Sequence, residues 1–416
     1  MPFNKFQVKT NKEGMDKNKK YSLETQCVKE HDVHTSGQSH VTPIHATSSY
    51  SYRNVQDSID VFTKKKEGFV YSRFSNPTVK EVEDKLAKLE SFGSDTEAGC
   101  IMTSSGLSAI STFALSMLDQ GDEVLTQPDL YGGSTEIFNK IVAKSGININ
   151  TIDLTDLDLV ESTLKANPSI KVVYFETPSN PMLKVVDIAA LAQLAKKYNA
   201  YSAIDNTFAT FYLQKPLQLG VDFVLYSTTK YLNGHGNAIS GAMITRNPEH
   251  RQKLWETMKL LGTNCNAWDA WLLHNGLKTL SVRMDRHCSN ALAIAEHLET
   301  QSCVAKVNYP GLASHSTHET ATKQMEQFGG MLSFELEGGM DHAIHFMDST
   351  ELCTIAATLG NVDTLLLHPA TSSHLFVPKE IRDASGIKDG LVRVSVGIEN
   401  IEDLKSDIDQ ALAGLA

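Results

Sequence analysis

The chain has 416 residues, 41% of them hydrophobic and 21% charged, and 38 basic against 49 acidic side chains give a formal charge of −11. That length suits two or three domains, and the mix excludes global disorder, collagen and coiled coil. The acidic balance argues against nucleic acid as the main partner, and no apolar run reaches the roughly 18–20 residues that span a bilayer.

The first segment, MPFNKFQVKTNKEGMDKNKKY, is positively charged but has no apolar core behind it, and it contains acidic residues. It fits neither a signal nor a transit peptide. Six cysteines (Cys27, Cys100, Cys265, Cys288, Cys303 and Cys353) are scattered without a C-x-x-C pair. Free thiols in a reducing compartment, and a cytoplasmic location, are expected. His31, His34, His40 and His45 follow gaps of 3, 6 and 5 residues, which match no closed zinc motif. No metal is expected. Residues 1–70 are polar and broken by Gly, Pro, Ser and Asn, and read as an extended arm.

From Thr78 the pattern changes. Val79, Val82, Leu86 and Leu89 recur at helical spacing. Seven apolar, β-rich runs follow: GCIMTS, DEVLTQ, ININTID, KVVYFE, AYSAID, VDFVLYS and AISGAMIT. Helical stretches lie between most of them, at Ser108–Leu118, Thr135–Ser145, Leu157–Ala166 and Ile188–Tyr198. Short apolar strands alternating with helices predict an α/β domain over residues 71–262, a mostly parallel seven-stranded sheet covered on both faces. After Trp255–Gly262 one long helix is predicted over Ala267–Thr300. The strand-like runs KVNYPGL, GGMLSFELEGG, TLLLHPA and GLVRVSVGI and an amphipathic cap over Ile401–Leu415 complete a smaller α+β domain, 263–416.

Ligands of open α/β sheets bind at the carboxyl ends of the strands. There the sequence places Ser104-Ser105-Gly106, PDLYGGS with Tyr131, TPSNP with Asn180, Asp205, and Ser227 to Lys230. Asp205 and Lys230 stand 25 residues apart, one βαβ step. A lysine for a Schiff base, a carboxylate for a pyridinium nitrogen and hydroxyls at a helix start for a phosphate are the parts of a pyridoxal-phosphate site. Each part alone has a plainer reading: Lys230 as a surface residue, Asp205 as a cap, Tyr131 as a core aromatic. Their conjunction at successive strand ends favours a cofactor site.

ETPSNP, AIDNTF, YSTTKYLNGH and LVRVSVGIE, with YSRFSNPT, DLYGGS, RMDRHCSNA, YPGLAS and HPATSSH, resemble the signatures of the Cys/Met-metabolism pyridoxal-phosphate enzymes. That group includes cystathionine γ-synthase, the cystathionine lyases, methionine γ-lyase and O-acylhomoserine sulfhydrylase. The resemblance runs from PIHATSSY to the C-terminus. It implies the fold-type-I transferase architecture, similar to aspartate aminotransferase, and pyridoxal 5′-phosphate as cofactor. By resemblance, Lys230 carries the cofactor and shuttles protons, Asp205 pairs with the ring nitrogen, and Asn180 faces the ring hydroxyl. Tyr131 stacks on the ring and takes part in acid–base chemistry. Ser105, Gly106, Leu107, Ser227 and Thr229 hold the phosphate. Tyr71 and Arg73 reach the phosphate of a neighbouring subunit, Tyr71 touching substrate too, which implies a homodimer with shared sites and a homotetramer. Arg393 clamps the substrate carboxylate, with Thr358 nearby.

The resemblance implies γ-elimination on a sulfur amino acid, with γ-replacement on an O-acylhomoserine as the alternative. An aminotransferase, or a binding protein that has lost activity, is a more distant reading. The diagnostic positions disagree. Methionine γ-lyases usually carry Cys where this chain has Gly133, and Gly-Gly resembles the cystathionine enzymes. Those usually have Glu where this chain has Ala357, before Thr358-Leu359-Gly360-Asn361, and a small apolar residue there looks more like methionine γ-lyase or the sulfhydrylases. Leu107 replaces the common Met.

Overall fold

The computed structural model describes residues 21–29, 39–94, 96–375 and 379–415. All seven predicted runs are strands of one sheet: β1 Gly99–Thr103, β2 Glu123–Thr126, β3 Asn148–Thr151, β4 Ile170–Glu176, β5 Tyr201–Asp205, β6 Phe223–Tyr226 and β7 Gly241–Thr245. Their order is β1-β7-β6-β5-β4-β2-β3. The pairs from β3 through β6 are parallel, whereas β7 runs against both neighbours. Every strand but β7 therefore points the same way, and their carboxyl ends share one edge.

Both faces of this sheet are apolar because successive side chains alternate between them. Along β4, Val173 and Phe175 join one core cluster while Val172 and Tyr174 join the other. The helix Pro77–Glu90 starts where Asn76 caps the Thr78 N–H at 3.0 Å and Pro77 occupies the first turn. Proline costs nothing there, since that N–H has no intrahelical partner.

The smaller C-terminal domain carries a second sheet: β8 Val304–Asn308, β9 Met331–Leu336, β10 Thr354–Ile355, β11 Leu365–Leu367 and β12 Leu391–Ser395, in the order β10-β11-β12-β9-β8. Apart from β10 beside β11 it is antiparallel.

Two expectations are corrected and one strand is added. The long helix over Ala267–Thr300 is two, Ala267–Leu277 and Leu280–Glu299. The break falls where the Gly276 carbonyl accepts Arg283 Nη2 at 2.8 Å and the Thr279 hydroxyl at 3.3 Å. Gly276 also lies so close to Asn233 that a Cβ would meet its carbonyl oxygen at 2.3 Å. The arm is not wholly extended: it contains the helices Leu23–Val28 and Val55–Phe62, the second started by the Asn54 side chain accepting the Asp57 N–H. The two-residue β10 is too short to show an alternation in sequence. His31 and His34, with residues 1–20, lie outside the described residues. Among the described residues no three His, Cys, Asp or Glu side chains are grouped to hold a metal, and no helix is long and apolar enough to cross a membrane.

Candidate active site

Lys230 lies in the turn that follows β6, and Asp205 ends the adjacent parallel strand β5. Thr207 ties the two together. Its N–H donates to Asp205 Oδ1 at 2.9 Å, and its hydroxyl oxygen accepts the Ser227 N–H at 2.8 Å. Lys230 Nζ donates to Thr358 Oγ1 at 3.0 Å. Burial, and then the nearby Arg393 charge, lowers the Lys230 pKa to about 8, because both disfavour the ammonium form. Burial raises the Asp205 carboxyl above the usual range.

The strand end after β1 opens the helix Gly106–Met117 through a capping box. Ser105 Oγ accepts the Ser108 N–H at 3.0 Å, and Ser108 Oγ accepts the Ser105 N–H at 2.7 Å. The box leaves the Gly106 and Leu107 amides at the positive end of the helix, where an anion is favoured. Gly106 has to be glycine: a Cβ would lie 2.7 Å from Ser227 Cβ. The same closeness brings the β6 turn against this helix start. Thr229 is less free than expected. Its hydroxyl donates to the Ser240 carbonyl at 3.2 Å and accepts the Ser240 N–H at 3.1 Å.

Tyr131 immediately precedes the helix Gly132–Lys140 and is 48% exposed. Its ring folds back toward Leu107. A Cβ on Gly133 would meet Tyr131 Cε1 at 2.5 Å and Leu107 Cδ2 at 3.2 Å. Any side chain at 133 therefore displaces the tyrosine ring.

The smaller domain supplies Arg393, from the middle of β12. Its Nη2 donates to the Thr358 carbonyl at 2.9 Å and its Nη1 to Asn180 Oδ1 at 3.3 Å, whereas its buried Nε has no acceptor among the described residues. Burial lowers its pKa to about 10. Thr358 thus receives Lys230 through its hydroxyl and Arg393 through its carbonyl. Tyr71 and Arg73 face elsewhere. Tyr71 is 42% exposed and bridges Ser49, while Arg73 Nη1 donates to the Lys259 carbonyl at 2.7 Å and lies over the Phe74 and Tyr71 rings. None of their described hydrogen bonds or ring contacts reaches Lys230, Asp205 or Arg393.

Two residues carry no expected role yet belong to the site. Thr207 joins the Asp205 and Lys230 turns. Glu176 pairs in register with Asp205 across β4 and β5 and is only 6% exposed. Burial, and then Asp205, pushes its carboxyl up to about 8. Its sequence signal is a charged residue ending an apolar strand next to AYSAID.

The residues present fit pyridoxal phosphate. Asp205 is a part-buried carboxyl that a cationic ring nitrogen would relieve, Lys230 Nζ donates to a hydroxyl, and the Gly106 helix start offers N–H groups and the positive end of a helix to a phosphate. Arg393 Nε remains a buried donor for a carboxylate.

The sequence matches the family described as Cys/Met metabolism PLP-dependent enzyme over residues 24–413. It is 42% identical to an L-methionine gamma-lyase of Fusobacterium nucleatum, covering 89% of this chain and 92% of that protein. It is 43% identical to a cystathionine beta-lyase of Lactococcus lactis, over 89% and 93%. Among solved structures, cystathionine gamma synthase from Xanthomonas oryzae in complex with cystathionine superposes with a TM-score of 0.88 at 38% identity, covering 95% of this chain and 98% of that one.

Proposed function

The chain belongs to the Cys/Met metabolism PLP-dependent enzyme family, and from that premise we propose that it carries out γ-elimination on a sulfur-containing amino acid. The Cγ–S bond breaks, the sulfur departs as a thiol, and water completes the release of a 2-oxo acid and ammonia. Pyridoxal phosphate, when bound, supplies the sink for the electron pair left by the departing α-proton.

The observation that carries this reading is Lys230. Its amine is half-buried, hydrogen-bonded to a hydroxyl at 3.0 Å, and shifted to about 8. Such an amine accepts and returns protons near neutral pH, and elimination at the γ-carbon needs a base that serves two adjacent carbons. Arg393 is the fork for the substrate carboxylate, with Thr358 holding both Lys230 and Arg393 in place. Tyr131 is assigned the cofactor face and proton exchange with the leaving sulfur. Asp205 is assigned the ring nitrogen, and Asn180 the ring hydroxyl. Ser105, Gly106, Leu107 and Ser227 are assigned the phosphate, with Thr229 bracing the turn through Ser240. Tyr71 and Arg73 are assigned to the phosphate of a second copy, which makes the working form a homodimer with shared sites, and two such dimers a homotetramer. The division between domains is placed at 262/263, with residues 1–70 as the arm. Six free cysteines, five of them buried, suit a cytoplasmic enzyme.

A second reading, γ-replacement on an O-acylhomoserine, draws support from Gly133, which leaves the space beside Tyr131 to the ring itself. Incubation with methionine, cystathionine and O-acetylhomoserine, with and without added thiol, separates the two. Elimination predicts 2-oxobutyrate and ammonia from methionine or cystathionine alone. If 2-oxo acid forms only from the acylhomoserine, replacement takes its place. Stoichiometric exchange with an added keto acid indicates an aminotransferase.

A further inference from the structure

Glu176 makes two hydrogen bonds that meet at one helix start. Its Oε2 accepts the Tyr131 N–H at 2.7 Å, and its Oε1 accepts the Ser134 hydroxyl at 2.7 Å. Tyr131 is the capping residue of the helix Gly132–Lys140, and that helix has no capping bond from its own side chains. The carboxyl of a neighbouring strand therefore takes the Tyr131 N–H, the bond that a first-turn side chain makes in a capping box, at the end of the helix whose N–H groups have no partner within it.

The clamp is itself anchored. Gln127 Nε2 donates to the Glu176 carbonyl at 3.1 Å, and Gln127 Oε1 accepts the Glu176 N–H at 3.2 Å. Glu176 is thus fixed by its own strand and by the residue that follows β2. Tyr131, by contrast, is half exposed, so little side-chain packing sets where its ring stands. Keeping a buried carboxyl beside the Asp205 carboxyl is costly, and costly local choices of this kind gather where function requires them.

We propose that Glu176 is a positioning residue for Tyr131: by capping the Gly132–Lys140 helix from β4 it fixes where the tyrosine ring stands over the cofactor site. This rests on the reading of Tyr131 as the residue of the cofactor face. The Gly132–Lys140 helix and its tyrosine then move as one body with the end of β4.

The test compares Glu176→Ala, Glu176→Gln, Ser134→Ala and Tyr131→Phe as holoenzymes with pyridoxal phosphate and the substrate that the panel identifies. It adds amide hydrogen exchange at Tyr131 in the cofactor-free protein. Glu176→Ala should lower kcat by about tenfold or more, as misplacement of a reacting group does. KM and the cofactor dissociation constant should stay within about threefold, while the Tyr131 amide exchanges about tenfold faster. Glu176→Gln keeps an acceptor for that amide and should restore kcat to within about threefold. A folded Glu176→Ala protein with unchanged kcat and unchanged exchange, beside a Tyr131→Phe protein of lowered kcat, overturns the inference and leaves the Tyr131 reading standing. Full activity of Tyr131→Phe overturns that reading itself, and the inference with it. Should Glu176→Ala fail to fold, Ser134→Ala decides: about threefold lower kcat with faster exchange supports the clamp, and wild-type values in both refute it.

Discussion

The two sheets contribute to the site in different ways. The larger, mostly parallel sheet offers residues at and just past its strand ends: Asp205 is the last residue of β5, and Ser105, Tyr131, Asn180 and Lys230 lie in connections along the same edge. The smaller, antiparallel sheet offers Arg393 from within a strand, paired on both sides with Leu367 and Ser333. A connection can change its residues without disturbing the ladder, because its backbone is not committed to pairing on both sides. A mid-strand arginine is different. It has to be buried with partners for its donors, and Arg393 is held by the Thr358 carbonyl of its own domain and by Asn180 of the larger one. The parallel edge is built to be chemical, and the antiparallel sheet to be exact in place.

The largest expected effect tests the edge. Lys230→Ala should lower turnover by about 10⁴-fold or more while Tm changes by little. The visible absorption band that the wild type gains with pyridoxal phosphate should be lost. Retained turnover would break the assignment of chemistry to the edge. Next, Arg393→Lys keeps the charge but loses the planar fork. It should cost about 100-fold in kcat/KM, mostly in KM, which steady-state kinetics reads. A loss confined to kcat would instead make Arg393 part of the chemistry.

The third prediction concerns pH. The Lys230 pKa is lowered from 10.5 to about 8 by burial and by Arg393, so the neutral amine grows in as pH rises through 8. Capture of pyridoxal phosphate by the cofactor-free protein, followed by stopped-flow absorbance, should accelerate about fiftyfold from pH 6 to pH 8 and only about twofold beyond. A rate still climbing steeply at pH 10 would show an ordinary lysine. The smallest effect is at the junction. Thr358→Val removes the acceptor of Lys230 but leaves the carbonyl that holds Arg393. It should lower kcat about three- to tenfold with KM nearly unchanged.

Periodicity and strand-end logic made the larger sheet legible: all seven strands sit where the apolar runs lie, and Leu157–Ala166 is a helix over those same residues. The smaller domain was harder. The break at Lys278 and Thr279 depends on Arg283 reaching a carbonyl, and such tertiary contacts leave no local pattern. The helix Val55–Phe62 went unseen because its eight residues are few for a periodicity to show. In the site, Lys230 and Asp205 announce themselves at the ends of apolar runs. Arg393 inside a strand reads as a structural arginine until resemblance supplies its role. Thr207 and Glu176 act on other residues rather than on a ligand, and nothing in their type or spacing reveals the distant partners, Ser227 for Thr207 and Tyr131 and Ser134 for Glu176, that folding brings near. Gly133 is the reverse case: a visible departure from the Cys usual in methionine γ-lyases whose meaning, room for the Tyr131 ring, required coordinates.

Thr358 is also a mechanical part of the molecule. Its hydroxyl meets the larger domain at Lys230, and its carbonyl meets Arg393, which in turn reaches Asn180; nearby, the Ser333 hydroxyl donates to the Pro181 carbonyl at 2.9 Å. The bonds of Lys230, Asn180 and Pro181 are rivets across the seam between the two sheets, and they run through the candidate site. The protein therefore carries a built-in strain gauge: any parting of its halves disturbs the Lys230 amine to which the proposed function assigns the cofactor. In a melt followed by visible light, fading should begin with the seam rather than with either sheet.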